Sequence, residues 1–149
     1  MNKYYATWRD IHAGCNNIQN AIHRSGKKYD CIVAVLRGGA VPATILSHAI
    51  NCSMQAIGIK TYEDHVQTNQ VYMYAQDTEF LNNCADKSIL LVDDICDSGN
   101  TFKYLKQMFL DKGCNTVDAA AIYMNEACTY DPQYCGMVSS QWIVFPWEK

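Results

Sequence analysis

The chain has 149 residues, of which 49% are hydrophobic and 18% are charged, and its formal net charge is −3. This composition predicts one folded globular domain and excludes an intrinsically disordered chain. The slight acidity argues against a nucleic-acid-binding surface, and no apolar run reaches the roughly 20 residues that a membrane-spanning helix needs.

The cysteines and the N-terminus indicate the compartment. Eight cysteines occur without a Cys-x-x-Cys pair, and those at positions 15, 31 and 96 fall within apolar patterns. Buried free thiols in a reducing cytoplasm explain this usage better than disulfides do. Met1 to Asp10 contains no apolar signal core, so export is not expected. A zinc site formed by Cys128, Cys135 and a histidine is the alternative for part of this set.

The first part of the chain predicts a helix, a buried strand and a glycine-rich turn. Thr7 to Asp10 is a capping-box pattern, and apolar residues then recur at helical spacing until Gly26. The apolar run from Cys31 to Leu36 predicts a strand that is buried on both faces. Arg37-Gly38-Gly39 follows this strand and precedes a helix, an order that suits anion binding. A plain turn with a surface arginine is the alternative interpretation.

The next segment predicts a helix and a strand, and then becomes irregular. The helix runs from about Val41 to Ile50, and its predicted buried face consists of Ile45, Leu46 and Ala49. Met54 to Lys60 reads as a strand. Between Thr61 and Lys87 the periodicity is lost, although Gln70 to Tyr74 is compatible with one half of an exposed hairpin.

The stretch from Ser88 to Thr101 holds the most informative pattern. The apolar run Ile89 to Val92 is followed by Asp93 and Asp94, and then by Asp97 and the small polar residues 98–101. Ligands of parallel sheets bind beyond the carboxyl ends of the strands. The backbone N–H groups of residues 98–101 can surround a phosphate at a helix N-terminus. The two adjacent aspartates can accept hydrogen bonds from sugar hydroxyls or hold Mg²⁺. The combination predicts a site for a phosphorylated ribose.

The remaining segments complete an alternation of strands and helices. A helix with apolar residues at positions 102, 105, 108 and 109 extends to Gly113, and Val117 to Met124 reads as a further strand. Trp142 to Trp147 is predicted to be a short edge segment that Pro146 interrupts. This alternation predicts a single α/β domain over residues 1–149, with a mostly parallel central sheet flanked by helices.

The motif LLVDDICDSGNT resembles the signature of the type I phosphoribosyltransferases, which use 5-phosphoribosyl-1-pyrophosphate (PRPP). Arg37-Gly38-Gly39 is similar to their pyrophosphate loop, and Trp142-Ile143 with Pro146-Trp147-Glu148 resembles the C-terminal purine site of the bacterial xanthine–guanine branch. The resemblance implies an α/β domain with a mobile flap within residues 61–87, a small C-terminal base-binding segment and a cis peptide bond between Leu36 and Arg37. It also implies purine salvage by a cytoplasmic dimer or tetramer that requires Mg²⁺.

The resemblance further implies a role for each site residue. Asp97 is the expected general base, with capping of the following helix as its alternative role. The residues expected to bind substrates hold the pyrophosphate, the ribose hydroxyls, the 5′-phosphate or the purine, and they are Arg37, Gly38, Asp93, Asp94, Ser98, Gly99, Asn100, Thr101, Asn125, Trp142 and Ile143. Asp93 and Asp94 are also the expected Mg²⁺ ligands.

Two departures from the family pattern leave alternatives open. Asn125 stands where the related enzymes have a lysine that contacts the purine, and an amide can donate or accept a hydrogen bond. The segment from Thr61 to Asp86 contains no Lys or Arg, although the related flap carries an arginine. A PRPP-dependent transferase for another nucleobase and a PRPP-sensing regulator therefore remain as alternatives to a purine enzyme.

Overall fold

A computed structural model describes residues 2–63 and 69–149. In chain order the elements are β1 (Lys3–Tyr5), α1 (Trp8–Ser25), β2 (Cys31–Leu36), α2 (Ala40–Ala49), β3 (Ser53–Glu63), β4 (Asn69–Tyr74), α3 (Thr78–Asn82), β5 (Ser88–Cys96), α4 (Asn100–Asp111), β6 (Thr116–Asn125), β7 (Tyr134–Ser139) and β8 (Trp142–Val144). Strands and helices alternate over most of these residues, except that β3 is followed by β4 and that β6, β7 and β8 are consecutive, and a short 3₁₀ helix at Pro146–Glu148 follows the last strand.

The central sheet has the strand order β4-β3-β2-β5-β6-β7. All neighbouring strands in it are parallel except β3 and β4, which are antiparallel. A separate parallel pair joins β1 to β8, at the two ends of the chain. The α/β class with a mostly parallel sheet flanked by helices is thereby confirmed.

The alternation of side chains along the central strands divides the core into two layers. Ile32 and Ala34 of β2 point into the layer that contains α1 and α2, whereas Val33 and Val35 point into the layer that contains α4. Successive residues of a strand face opposite sides of a sheet. Both faces of β2 are therefore apolar, as the uninterrupted run from Cys31 to Leu36 predicted.

The helix α1 begins and ends where the sequence pattern predicts. The Thr7 side chain accepts a hydrogen bond from the Asp10 backbone at 3.2 Å, and the Asp10 carboxylate accepts one from the Thr7 backbone at 2.9 Å. Gly26 ends the helix with a φ of 69°, a left-handed conformation that glycine adopts at low cost. The predicted capping box is confirmed.

Several details of the predicted elements are wrong, and the helix α3 was not predicted. Ala49, expected in the buried face of α2, is exposed because it is the last residue of that helix. The strands β1 and β7 were not predicted, since β1 is short and exposed and β7 is mostly half-buried with Gly136 inside it. The strand β5 continues past Val92 to Cys96, so Asp93 and Asp94 lie within the strand instead of after it.

The segment predicted to contain a flap or a hairpin forms an antiparallel pair. Gly58 of β3 lies opposite Tyr74 of β4, and the register continues to Glu63 opposite Asn69. Residues 64–68, which connect the two strands, lie outside the described residues. The hairpin is confirmed, and the mobility of a flap remains a prediction.

The structure also bears on the membrane and zinc alternatives. Among the described residues, no helix combines the length and the apolar character that crossing a membrane would require. Within residues 2–63 and 69–149, no cluster of three or more His, Cys, Asp and Glu side chains is arranged to hold a metal ion. The alternative of a zinc site at Cys128 and Cys135 therefore finds no support. All eight cysteines are free thiols.

The buried face of α4 offers a test of the packing. Phe109 is fully buried, whereas the next residue, Leu110, is 39% exposed. Phe109→Ala should lower the free energy of unfolding by about 3–5 kcal/mol because it leaves a cavity in the core. Urea denaturation monitored by circular dichroism measures the loss. Leu110→Ala is the control and should change stability by only about 0.5 kcal/mol; equal losses in the two variants would contradict the assigned helix face.

Candidate active site

The candidate site lies where two neighbouring strands of the sheet separate. The strand β5 pairs with β2 only as far as Val92, which lies opposite Ala34, but it continues to pair with β6 up to Cys96. The strand order also reverses between β2 and β5, since β3 lies on one side of this pair and β6 on the other. A crevice opens at such a point in a parallel sheet. Asp93 and Asp94 are on the stretch of β5 that borders it.

The loop after β2 forms one wall of this crevice. A Cβ atom on Gly38 would overlap the carboxylate of Asp94, and a Cβ atom on Gly39 would overlap the Val92 carbonyl oxygen. Glycine is therefore required for the loop to approach β5 so closely. Arg37 is exposed on the same loop, and the peptide bond between Leu36 and Arg37 is cis, as the family resemblance implied.

The two adjacent aspartates are partly buried and close to each other. The Asp94 backbone N–H donates a hydrogen bond to the Asp93 carboxylate at 2.8 Å. Burial raises the pKa of Asp93 well above its ordinary value, and the negative charge of Asp94 raises it further. Burial also raises the pKa of Asp94, and Glu148 adds to this effect. Among the described residues, neither carboxyl group forms a salt bridge with a basic side chain, and two adjacent carboxyl groups are a donor set that fits Mg²⁺ together with water and substrate oxygens.

The loop after β5 forms the first of two adjoining cavities. This cavity has a volume of about 230 Å³ and is lined by residues 93–102. Gly99 has a φ of 84° and leads directly into α4, whose first N–H groups have no partners within the helix. The Ser98 hydroxyl accepts a hydrogen bond from the Asn100 backbone at 3.3 Å, which tightens the turn. This wrapped backbone at a helix N-terminus suits a phosphate.

The second cavity has a volume of about 380 Å³ and a partly aromatic lining. Trp142, Ile143 and Phe145 contribute to it, together with Asn125 of β6 and Glu148. Pairing between β1 and β8 fixes this C-terminal wall, and the Phe145 ring stacks on Trp147 with centroids 4.9 Å apart. A flat apolar wall of this kind can accept a heteroaromatic ring.

Asp97 lies between the two cavities and lines both of them. Its carboxylate accepts a hydrogen bond of 2.9 Å from the Asn125 side-chain amide. The amide oxygen of Asn125 is itself occupied, since it accepts a hydrogen bond of 2.9 Å from the Ala127 backbone. These two bonds fix the orientation of the amide, so that its nitrogen faces Asp97.

The fold thus brings most of the predicted residues together. Asp93, Asp94, Asp97 and residues 98–101 line the first cavity, and Asn125, Trp142 and Ile143 line the second. Gly38 contacts this site through Asp94. Arg37 is on the adjacent loop without lining either cavity.

Three contributions were not predicted from the sequence. They are the Asn125–Asp97 hydrogen bond, the Phe145 wall and Tyr130, whose Cβ occupies the space that a side chain at position 99 would need. The sequence signal for Phe145 was its place in the C-terminal aromatic segment; Tyr130 has no comparable signal.

A larger cavity of about 600 Å³ lies elsewhere in the molecule. It is lined by residues near the C-terminal ends of α1 and α2, including Gln19, Lys27 and Asn51. These positions are at the amino ends of the parallel strands, and none of the predicted site residues lies there. Because ligands of parallel sheets bind at the carboxyl ends of the strands, the two smaller cavities are the better candidate site.

Comparison with known proteins identifies a protein family that matches this chain. The family model described as the phosphoribosyl transferase domain matches residues 2–148. The xanthine-guanine phosphoribosyltransferase of Idiomarina loihiensis is 26% identical over 98% of this chain and 87% of its own length. The enzyme of the same name from Chromohalobacter salexigens is 30% identical over 94% of this chain and 78% of its own length. The crystal structure of a purine phosphoribosyltransferase from Pyrococcus horikoshii has a TM-score of 0.86 and 27% identity, over 100% of this chain and 95% of that one.

The raised pKa of Asp93 predicts a stability effect without any ligand. The folded state retains a proton that the unfolded chain releases above a pH of about 3.9. The free energy of unfolding should therefore decrease as the pH rises from there through the folded pKa, by at most about 1.4 kcal/mol per pH unit for one group. Asp93→Asn removes this charge and keeps an acceptor for the Asp94 N–H, so it should raise stability at pH 7 and flatten the pH dependence.

Urea denaturation in EDTA-containing buffers between pH 4 and pH 8 measures this effect. Asp111→Asn is a matched control, because Asp111 is exposed on α4 and accepts a hydrogen bond from Gln107 that asparagine can also accept. If Asp93→Asn retains the pH dependence of the unchanged protein, Asp93 is not the group responsible.

Proposed function

This chain belongs to the phosphoribosyl transferase domain family, and from this premise we propose that it is a purine phosphoribosyltransferase. The proposed reaction transfers the 5-phosphoribosyl group of PRPP to guanine, xanthine or hypoxanthine and releases pyrophosphate, which is a step of purine salvage. The relatives named above supply the reaction class, and the geometry of the two cavities supplies the roles of individual residues.

The proposal rests mainly on the position of Asp97 between the two cavities. Asp97 lines both cavities, of which one is formed by a backbone cradle at a helix N-terminus and the other by an aromatic wall. A substrate with a phosphorylated sugar in the first cavity would direct its anomeric carbon toward a ring in the second. The proximity of two bound reactants can supply several kcal/mol of the barrier reduction, and this arrangement provides it.

The phosphate and ribose sites follow from the loop after β5. Ser98, Gly99, Asn100 and Thr101 would bind the 5′-phosphate through backbone N–H groups and hydroxyls. Asp93 and Asp94 would accept hydrogen bonds from the ribose hydroxyls. They would also hold Mg²⁺, which when bound neutralises charge on the leaving pyrophosphate. Their raised pKa values support this role, because two crowded carboxyl groups favour a nearby cation.

The loop after β2 is the proposed pyrophosphate site. Gly38 lies against Asp94, so its backbone is within the crevice where the leaving group must depart. Arg37 is exposed beside it and has a guanidinium group that can bind a phosphate through two hydrogen bonds. The close approach of Gly38 to Asp94 supports the pyrophosphate role, because a plain surface turn would not need to lie against the crevice.

Asp97 is the proposed general base. When the anomeric carbon bonds to one imidazole nitrogen of the purine, the other nitrogen must lose its proton. A carboxylate between the two cavities can accept this proton. The hydrogen bond from Asn125 fixes the direction of the free lone pairs of the Asp97 carboxylate. Trp142 and Ile143 would hold the six-membered ring beside it.

The orientation of Asn125 favours 6-oxopurines as acceptors. Its amide oxygen accepts from the Ala127 N–H and its nitrogen donates to Asp97, so the second N–H group of that nitrogen is the donor proposed for the substrate. An oxygen at position 6 of the purine can accept from this donor while the adjacent imidazole N–H donates to Asp97. The amino group of adenine would place a donor against a donor. This arrangement argues against the alternative in which Asn125 accepts from an amino group.

Assembly and location belong to the same proposal. Tyr5 and Trp8 are 56% and 51% exposed, and large exposed aromatic side chains are typical of surfaces that another chain covers. They support a homo-oligomer, either a dimer or a tetramer. The eight free thiols support a reducing, cytoplasmic location. An Asp positioned between two substrate-sized cavities favours catalysis over PRPP sensing alone.

The replacement Asp97→Asn tests the proposed reaction. Asparagine keeps the size of the side chain but cannot accept a proton at neutral pH, so kcat should fall by about 10²–10⁴-fold. Pyrophosphate release with guanine, PRPP and Mg²⁺ measures the effect, and calorimetry should show PRPP affinity close to that of the unchanged protein. Asp111→Asn is the control and should keep full activity. Unchanged kcat in Asp97→Asn would remove Asp97 from the base role, and no turnover of any purine by the unchanged protein would overturn the function.

The replacement Asn125→Ala tests the selectivity argument. It removes one donor to Asp97 and one to the purine oxygen, and a hydrogen bond to a carboxylate alone is worth about 1.5–3 kcal/mol. We expect kcat/KM for guanine and hypoxanthine to fall by roughly 10–100-fold. Asn115→Ala, at an exposed loop position, should have no effect. A panel of nucleobases completes the test: turnover of adenine as fast as guanine by the unchanged protein would contradict the orientation of Asn125.

A further inference from the structure

Two cysteine thiols lie in contact next to the candidate site. The sulfur atoms of Cys96 and Cys128 are 3.4 Å apart. Cys96 is the last residue of β5 and is only 2% exposed, whereas Cys128 is half-buried in the loop that follows β6. The Cys128 backbone N–H donates to the Asn125 carbonyl at 2.9 Å, which turns this loop back toward β5.

This thiol pair connects the two strand ends that carry the proposed catalytic groups. Cys96 immediately precedes Asp97, and Cys128 is held by the turn that begins at Asn125. The Cys128 thiol also contacts the Tyr130 carbonyl oxygen at 3.4 Å. The Tyr130 side chain packs against Gly99 in the phosphate loop. A bond between the two sulfur atoms would therefore tie together both sides of the site.

We propose that Cys96 and Cys128 form a dithiol modification site that a hydroperoxide oxidises to a disulfide, and that this crosslink lowers turnover. The half-exposed Cys128 reacts first, since its thiolate attacks one peroxide oxygen, breaks the O–O bond and becomes a sulfenic acid while hydroxide or alkoxide leaves. The Cys96 sulfur then attacks the Cys128 sulfur, an S–S bond forms, and the sulfenic oxygen leaves with the Cys96 proton as water.

The other cysteines do not share this placement. Cys84 and Cys114 are both buried, and the Cys114 thiol donates to the Cys84 carbonyl at 3.1 Å, away from the candidate site. The Cys135 thiol donates to the Met137 carbonyl at 3.1 Å, within its own strand. Only the Cys96–Cys128 pair, among the described residues, joins sulfur–sulfur contact with partial exposure and proximity to Asp97.

The disulfide should lower turnover because it changes the distances between groups in the site. A disulfide has a sulfur–sulfur bond of about 2.0 Å, so the two strand ends must approach from the present separation of 3.4 Å. Asp97 and Asn125 are next to these sulfurs and are joined by a hydrogen bond. Displacement of reacting groups by about 1 Å can cost as much as 10²-fold in rate. The formation of the disulfide does not depend on the proposed function, whereas the effect of the disulfide on turnover rests on the proposed function.

Mass spectrometry tests the crosslink. The protein is treated with hydrogen peroxide, its remaining thiols are alkylated, and it is cleaved on the N-terminal side of aspartates without reduction. Cleavage at Asp118 and Asp131 separates Cys128 from Cys114 and Cys135, and cleavage at Asp94 and Asp97 isolates Cys96. The proposal expects one linked product that joins the Cys96 and Cys128 fragments. Its absence, or a link through Cys135 instead, overturns the proposal.

Activity measurements on the same samples test whether the crosslink lowers turnover. Oxidised protein should show kcat reduced at least about tenfold, and a thiol reductant should restore it. Cys128→Ser should keep normal basal activity and resist peroxide, whereas Cys135→Ser should form the crosslink and lose activity like the unchanged protein. Crosslinked protein with unchanged kcat, or equal peroxide sensitivity of Cys128→Ser, overturns the proposal. If the untreated protein turns over no purine, the proposed function fails, and the linked fragments still decide whether the disulfide forms.

Discussion

The separation of β2 and β5 beyond Val92 is the constraint on which the site depends. Up to that residue the two strands share backbone hydrogen bonds, and after it β5 is supported by β6 alone. The free edge of β5 presents Asp93 and Asp94 to a crevice, and the loop after β2 closes over them because Gly38 has no side chain. A parallel sheet whose strand order reverses here cannot fill this gap with a further strand, so a ligand can enter it.

The carboxyl groups in the crevice distinguish it from the apolar core. Burial raises the pKa values of both Asp93 and Asp94, and the negative charge of Asp94 raises that of Asp93 further, so the fold keeps these groups at a cost in stability. Such a cost is typical of residues that are retained for binding or chemistry. A cation and a polyhydroxylated, phosphorylated sugar would offset it, since each supplies positive charge or hydrogen-bond donors to the two carboxylates.

Asn125 gives this site its individual character within the family. Where the related enzymes are expected to have a lysine, this chain has an amide whose oxygen is bound to the Ala127 N–H and whose nitrogen is bound to Asp97. In the proposed reaction, this side chain can both orient the base and select the acceptor. The same turn places Cys128 against Cys96. The proposed disulfide would therefore form beside Asp97.

Features with local signals could be predicted from the amino-acid chain alone. The capping box of Thr7 and Asp10, the apolar run of β2 and the cradle at residues 98–101 each depend on a few consecutive residues, and they predicted the α/β class and most of the site. Contacts between distant segments became known only from the folded chain, because hydrogen bonds and packing across the sheet leave no periodic pattern in the sequence. They include the β1–β8 pair that fixes the Trp142 wall, the Asn125–Asp97 bond and the contact between Tyr130 and Gly99.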